Sequence, residues 1–120
     1  MASRLLIATL LVIALSHPIS ADNDDTFVAG IGDLPLMEGL VEDPDAAIIY
    51  DKPEGRIVEA IAHGNVAAED VRTFYGDTLL QLGWQASGED MVFTREGEVL
   101  TIVVDDEGNT ATVSFSLAPR

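Results

Sequence analysis

The stretch Val71-Arg72-Thr73-Phe74-Tyr75-Gly76-Asp77-Thr78-Leu79-Leu80-Gln81-Leu82-Gly83-Trp84 decides how the rest of the chain is read. Val71, Phe74, Tyr75, Thr78, Leu79 and Leu82 recur at spacings of three and four, one stripe of a 3.6-residue period. The spacing predicts an amphipathic helix from about Ala67 to Leu82. Glu69 and Asp70 fall in its first turn, where the helix dipole favours anions. Asn65 is the candidate N-cap. Gly83 follows the last periodic residue and suits a C′ position with positive φ. Gly76 in mid-helix costs ~1 kcal/mol against alanine, and its small size suits a close helix–sheet approach.

Beyond Gly83 the period changes to two. Trp84–Ser87, Met91–Arg95 and Val99–Val104 read as strands separated by turns at Gly88-Glu89 and Glu96-Gly97. Val99–Val104 (VLTIVV) is nearly continuous in apolar character and is expected at the centre of the sheet. After the turn Asp105–Asn109, Ala111, Val113, Phe115 and Leu117 alternate with Thr110, Thr112, Ser114 and Ser116, a strand with one buried and one wet face.

Before the helix, Ile48-Ile49-Tyr50 is short, β-branched and aromatic. Asp51–Gly55 carries proline and glycine in turn positions, and Arg56–Ala62 (RIVEAIA) pairs back as a second strand. On that strand Val58, Ala60 and Ala62 share one face, Ile57, Glu59 and Ile61 the other. The reading is an α+β fold: a single two-layer domain over residues 47–119, one amphipathic helix on an antiparallel sheet, order β-β-α-β-β-β-β.

Residues 22–46 form a polar leader punctuated by Gly30, Gly32, Pro35, Gly39 and Pro44. Within it, Leu34-Pro35-Leu36-Met37, then Leu40 and Val41, form an apolar segment. It is expected to lie on the domain; a partner-binding peptide is the alternative. Residues 1–21 read as a secretory signal peptide. Arg4 precedes the apolar run Leu5–Leu15, then come Pro18 and the small pair Ser20-Ala21. The 11 residues of that run would cover only about half of a ~30 Å hydrocarbon core, so no stable membrane insertion is expected after cleavage near Ala21. Periplasmic or secreted localisation follows.

No cysteine occurs, which excludes disulfides, zinc–thiolate sites and cysteine nucleophiles. The formal net charge is −15, and all 21 acidic residues lie after Ala21 against five basic ones, Lys52, Arg56, Arg72, Arg95 and Arg120. Such a surface disfavours nucleic acid and anionic lipid. It fits solubility and colloidal stability, or alternatively a cation or a basic partner.

Val71-Arg72-x-Phe74-Tyr75, Leu79 and Leu82-Gly83-Trp84 resemble the V-x-x-F-Y…L-x-x-x-G-W helix–strand junction of uncharacterised small secreted proteins of α-proteobacteria, and Asp51–Ile57 and Arg95–Glu98 are similar to segments of the same proteins. The resemblance implies export and fold. It carries no activity, cofactor or site.

The candidates for chemistry are few. His63 is the one histidine after the leader and has no partner at a diagnostic spacing. Ser87, Ser114 and Ser116 lie in no nucleophile motif. Asp105, Asp106 and Glu107, followed by Gly108 and Asn109, offer oxygen ligands of the kind calcium takes. They fail the EF-hand template, since position 6 from Asp105 is Thr110 and position 12 is Ser116; Asp, Gly and Asn also belong in a hairpin turn. Trp84, Phe74, Tyr75 and Tyr50 could line a ligand groove, and the spacing of the first three favours core. No catalytic residue or cofactor is expected. The function expected is an exported non-catalytic binding or accessory module that meets a protein partner through its sheet or its apolar leader. A cation-responsive, calcium-binding module is the alternative, and a small periplasmic hydrolase comes third.

Overall fold

Helix α1 spans Ala68–Gln81 and buries Val71, Tyr75 and Leu79, the centre of the stripe read from sequence. Its C-terminus is a Schellman motif. Gly83 sits at φ 88°, its N–H donates to the Leu80 carbonyl at 3.2 Å, and the Trp84 N–H reaches back to the Leu79 carbonyl at 2.9 Å. These bonds satisfy two of the carbonyls that a helix end leaves open, and Trp84 then enters the same buried core as Leu79. The N-terminus differs from expectation. Ala67 is the cap residue and no side chain caps the first turn, so Asn65 lies two residues too early. Gly76 also differs: a methyl group there would meet nothing within 4 Å. It faces open space rather than the sheet.

The computed structural model describes residues 26–120. Residues 1–21, read from sequence as a signal peptide, and the start of the leader lie outside the described residues. Seven strands form one antiparallel sheet: β1 Leu40–Glu42, β2 Ile48–Lys52, β3 Gly55–Gly64, β4 Gln85–Ala86, β5 Val92–Arg95, β6 Glu98–Asp106 and β7 Ala111–Pro119. The strand order is β1-β3-β7-β6-β5-β4, with β2 also on β3. The α+β architecture read from sequence stands, with one more strand. β1 lies inside the stretch read as leader, so the order is β-β-β-α-β-β-β-β.

β1 and β2 both run antiparallel to β3 along the same edge. β1 pairs at Leu40↔Gly64 to Glu42↔Ala62 and β2 at Ile48↔Glu59 to Lys52↔Gly55. A 3-10 turn at Pro44–Ala46 separates them, capped by the Asp43 carboxylate accepting from the Asp45 N–H. The Asp43 N–H still donates to the Ile61 carbonyl, so the ladder continues into the turn. Together they form one edge strand with an insertion.

The sheet has one covered and one open face. On β3 the covered face carries Val58, Ala60 and Ala62; on β6 Leu100, Ile102 and Val104; on β7 Val113, Phe115 and Leu117. Helix α1 covers part of it. The leader covers the rest, folding back on itself through the Val28 N–H to Leu34 carbonyl bond at 2.9 Å. Val28, Ile31 and Leu34 are all at most 1% exposed. The leader therefore lies on the domain, as expected, and gives Val28, Ile31, Leu34 and Leu40 to the core, while Val41 stays 63% exposed. β6 is an interior strand, as expected, but only one of its faces is dry: Val103 remains 49% exposed.

Candidate functional site

Large apolar side chains in water are the structural feature that calls for explanation. Eight are exposed among the described residues, and six of them belong to the β1–β2 edge or the open face: Val41, Ile48, Ile49, Tyr50, Ile61 and Val103. The register brings them together. Ile61 lies opposite Ser114, which lies opposite Val103, forming a cross-sheet row on the open face. Val41 sits at the edge opposite His63, and His63 opposite Thr112. Ile48 and Tyr50 pair with Glu59 and Ile57, on the same side of the sheet as Ile61. Ile49 points to the other side with Val58, next to Gly30 of the leader, yet is 58% exposed. Monomeric proteins rarely gather such residues without a use.

The wet face expected on β7 is the same face. Ser114 and Ser116 are half-buried members of it and have no histidine across the strand: Ser116 pairs Glu59 and Thr101. His63 lies inside β3 rather than after it, exposed, between Val41 and Thr112. Ser87 serves its own turn, its hydroxyl accepting from the Glu89 N–H.

Asp105, Asp106 and Glu107 enter the β6–β7 hairpin and are all exposed. Asp106 Oδ1 accepts from the Gly108 N–H at 3.0 Å, and Glu107 Oε1 accepts from the Thr112 hydroxyl. Asp105 pairs with Thr112 at the end of β6. Two of the three carboxylates thus shape the turn. Among the described residues no group of three metal-ligating side chains is gathered.

A second feature was not legible in sequence. An open cleft of about 550 Å³ is lined by Asp33, Gly83, Thr94, Arg95, Gly97 and Arg120. Arg95 projects from β5 and stacks 4.4 Å from the centre of the Trp84 ring. Its guanidinium grips Asp33 with two bonds, 2.7 and 3.3 Å, and donates to the Leu82 carbonyl at the helix C-terminus. The hydrogen bond from Arg95 holds the Asp33 carboxyl below its usual range, against the partial burial that raises it. Arg95 ties leader, helix end and hairpin together. Arg56 of β3 does the same close by, bonding the Gly30 carbonyl and Glu98, the residue that pairs with Arg95 across the β5–β6 ladder. These two arginines act as clamps on the leader. Of the aromatics weighed as groove residues, Trp84 and Tyr75 are core, Phe74 packs against it, and Tyr50 is 56% exposed at the edge.

No protein-family model, curated protein or solved structure matches this chain. The site therefore rests on its own geometry. Among the described residues no helix is long and apolar enough to cross a membrane.

Proposed function

We propose that this chain is an exported, non-catalytic binding or accessory module that holds a protein partner on the outer side of its sheet. The observation that carries the reading is the gathering of Val41, Ile48, Ile49, Tyr50, Ile61 and Val103 in water along one edge and the open face. The burial of Val28, Ile31 and Leu34 of the leader favours the sheet of the two surfaces first considered. The secretory character of residues 1–21 and the likeness of the helix–Gly–Trp junction to small secreted proteins support export. The acidic surface speaks against nucleic acid as the partner.

A random peptide library panned on the protein tests the reading. Selected peptides are expected to lose binding to Ile61→Lys/Val103→Lys or to Ile48→Lys/Tyr50→Lys, and to retain it with Arg120→Ala in the cleft. Binders that ignore both sheet variants, or a library that yields none, would sink it.

A further inference from the structure

We infer that β2 binds its partner by strand addition, and that the partner contributes an extended segment in which apolar residues alternate with lysine or arginine. The inference rests on the sheet-docking reading and adds the mode and the chemical class of the occupant. All five residues of β2 are exposed. It pairs with β3 alone, and among the described residues no strand lies on its outer side. In a strand paired on one side, alternate residues turn N–H and C=O outward, a template for another chain. Edges are ordinarily blunted by proline, charge or a bulge. Here proline stands outside the strand, at Pro44 and Pro53, and charge occupies only its last two residues, Asp51 and Lys52; the first three, Ile48-Ile49-Tyr50, carry none of these devices. An added strand would find Ile48 and Tyr50 on one face and Ile49 on the other. The opposite edge of the sheet, β4, is two residues long and offers too little ladder.

Charge selects the occupant. Around β2 stand Asp43, Asp45, Asp51, Glu54 and Glu59, all exposed. The cations nearby are Lys52 and Arg56, and Arg56 is taken by Glu98 and the Gly30 carbonyl. A second copy of the chain would bring the same carboxylates against these, on a molecule that already carries 21 acidic residues against six basic. Like charges in register cost free energy and slow encounter, whereas a cationic strand is drawn in. The complement of this edge is therefore a basic, alternating segment of another protein.

The probe is a short fluorescein-labelled peptide of alternating lysine and valine, followed by anisotropy and by hydrogen exchange on the full chain. Binding that weakens as salt rises to ~0.15 M is expected, with new protection of the Ile48–Lys52 amides. Ile48→Lys/Tyr50→Lys should raise Kd at least about tenfold, the equivalent of ~1.4 kcal/mol. Both side chains are exposed, so an unchanged thermal melt separates lost docking from lost folding. Asp51→Asn/Glu54→Gln, which leaves the apolar run intact, should weaken binding and flatten its salt dependence. A glutamate–valine peptide, and a lysine–valine peptide N-methylated on one edge, should fail to bind. The idea is overturned if the lysine–valine peptide does not bind, if the double lysine variant binds it equally, if the glutamate peptide binds as well, or if protection appears elsewhere than on β2. It is also overturned if the free protein forms a dimer that the double lysine variant abolishes, since the occupant would then be a second copy. Library peptides that depend on Ile61 and Val103 but ignore β2 would remove strand addition and leave the sheet-docking reading standing.

Discussion

The Tyr75 hydroxyl accepts a hydrogen bond from the Met37 N–H at 3.0 Å and ties helix α1 to the leader. The same hydroxyl donates to the Pro35 carbonyl at 3.0 Å. The ring is fully buried and stands edge-on to Phe115 of β7 at 5.2 Å between centroids. One side chain thus joins the three parts that make the core: leader, helix and sheet. Removing only the hydroxyl, in Tyr75→Phe, leaves the Met37 N–H and the Pro35 carbonyl short of a partner. A loss of ~1–3 kcal/mol in urea unfolding is expected. A change within experimental error would show that water replaces the phenol without cost.

The same residue predicts an alkaline limb. Burial pushes the Tyr75 phenol up from 10.0 to about 12. The neutral form is favoured in the folded state, so the folded state holds its proton where the unfolded chain has released it. This contribution is complete below pH ~10 and is lost as the pH rises towards ~12. Urea stability should therefore fall across that window, and the fall should be smaller in Tyr75→Phe. Parallel pH profiles for the two proteins would contradict the assignment.

Helix α1 offers a pair of opposed substitutions. Leu79 is fully buried, and Leu79→Ala should cost ~2–5 kcal/mol through lost burial and the cavity left behind. Gly76 is three residues away and faces open space, so Gly76→Ala should stabilise by about 1 kcal/mol. Calorimetry on both variants checks the register: loss at Gly76 or neutrality at Leu79 would rotate the helix out of the position described.

Much of this helix was legible because its six-residue stripe is long enough to fix a phase, and because Gly83-Trp84 punctuates its end. The sheet's covered face was legible in β7, where the alternation is clean. On β3 the small residues Ala60 and Ala62, not Ile57 and Ile61, turn inward, which a hydrophobicity reading alone leaves open; close packing under the helix and leader decides it. Val28 and Ile31 were missed as core residues. They are flanked by Gly30 and Gly32 and obey no period, since a folded-back loop has none. β1 was missed because three residues gain strand identity only from the edge of β3. The apolar run of β2 was read as a strand, but Ile-Ile-Tyr looks the same whether buried or bare. Its exposure, and with it the candidate site, follows only from where the chain places it. The clamps of Arg56 and Arg95 span 42 and 62 positions to their carboxylates and leave no local signal.

Gly64 of β3 pairs with Leu40 at the start of β1. A Cβ there would lie 2.0 Å from the Gly39 carbonyl oxygen, a backbone atom that cannot rotate away. Gly64→Ala is therefore expected to detach β1, with a loss of roughly 2 kcal/mol or more and faster hydrogen exchange at Leu40–Glu42. Unchanged exchange there would mean that the edge absorbs the methyl group.

The Asp33–Arg95 clamp predicts an acid limb. The Asp33 carboxyl is held below 3.8 by its hydrogen bond with Arg95, so its contribution is complete above the unfolded value and is lost as the pH falls below it. Asp33→Asn should be less stable than the wild type at neutral pH, and the difference should shrink as both are taken below pH ~4. A difference that persists at low pH would assign the effect to packing instead of charge.

The acidic surface gives the last prediction. With 21 acidic residues against six basic, mutual repulsion opposes the compact state at low ionic strength. Salt shortens the Debye length from ~30 Å at 0.01 M to ~8 Å at 0.15 M, which screens its long-range part. The melting temperature should therefore rise between those two concentrations, equally for sodium and potassium chloride. Dilute calcium at matched ionic strength separates screening from binding. In the β6–β7 turn Asp106 and Glu107 already accept from the Gly108 N–H and the Thr112 hydroxyl, so a bound ion would have to displace bonds that shape the hairpin. Little stabilisation beyond screening is expected. A true site would add an increment growing as RT ln(1 + [L]/Kd), about 2.7 kcal/mol at a hundredfold excess over Kd, and would lose it when Asp105, Asp106 and Glu107 are replaced by their amides. A saturable calcium effect that disappears in that triple variant would make the hairpin a cation site and move the cation-responsive reading ahead of sheet docking.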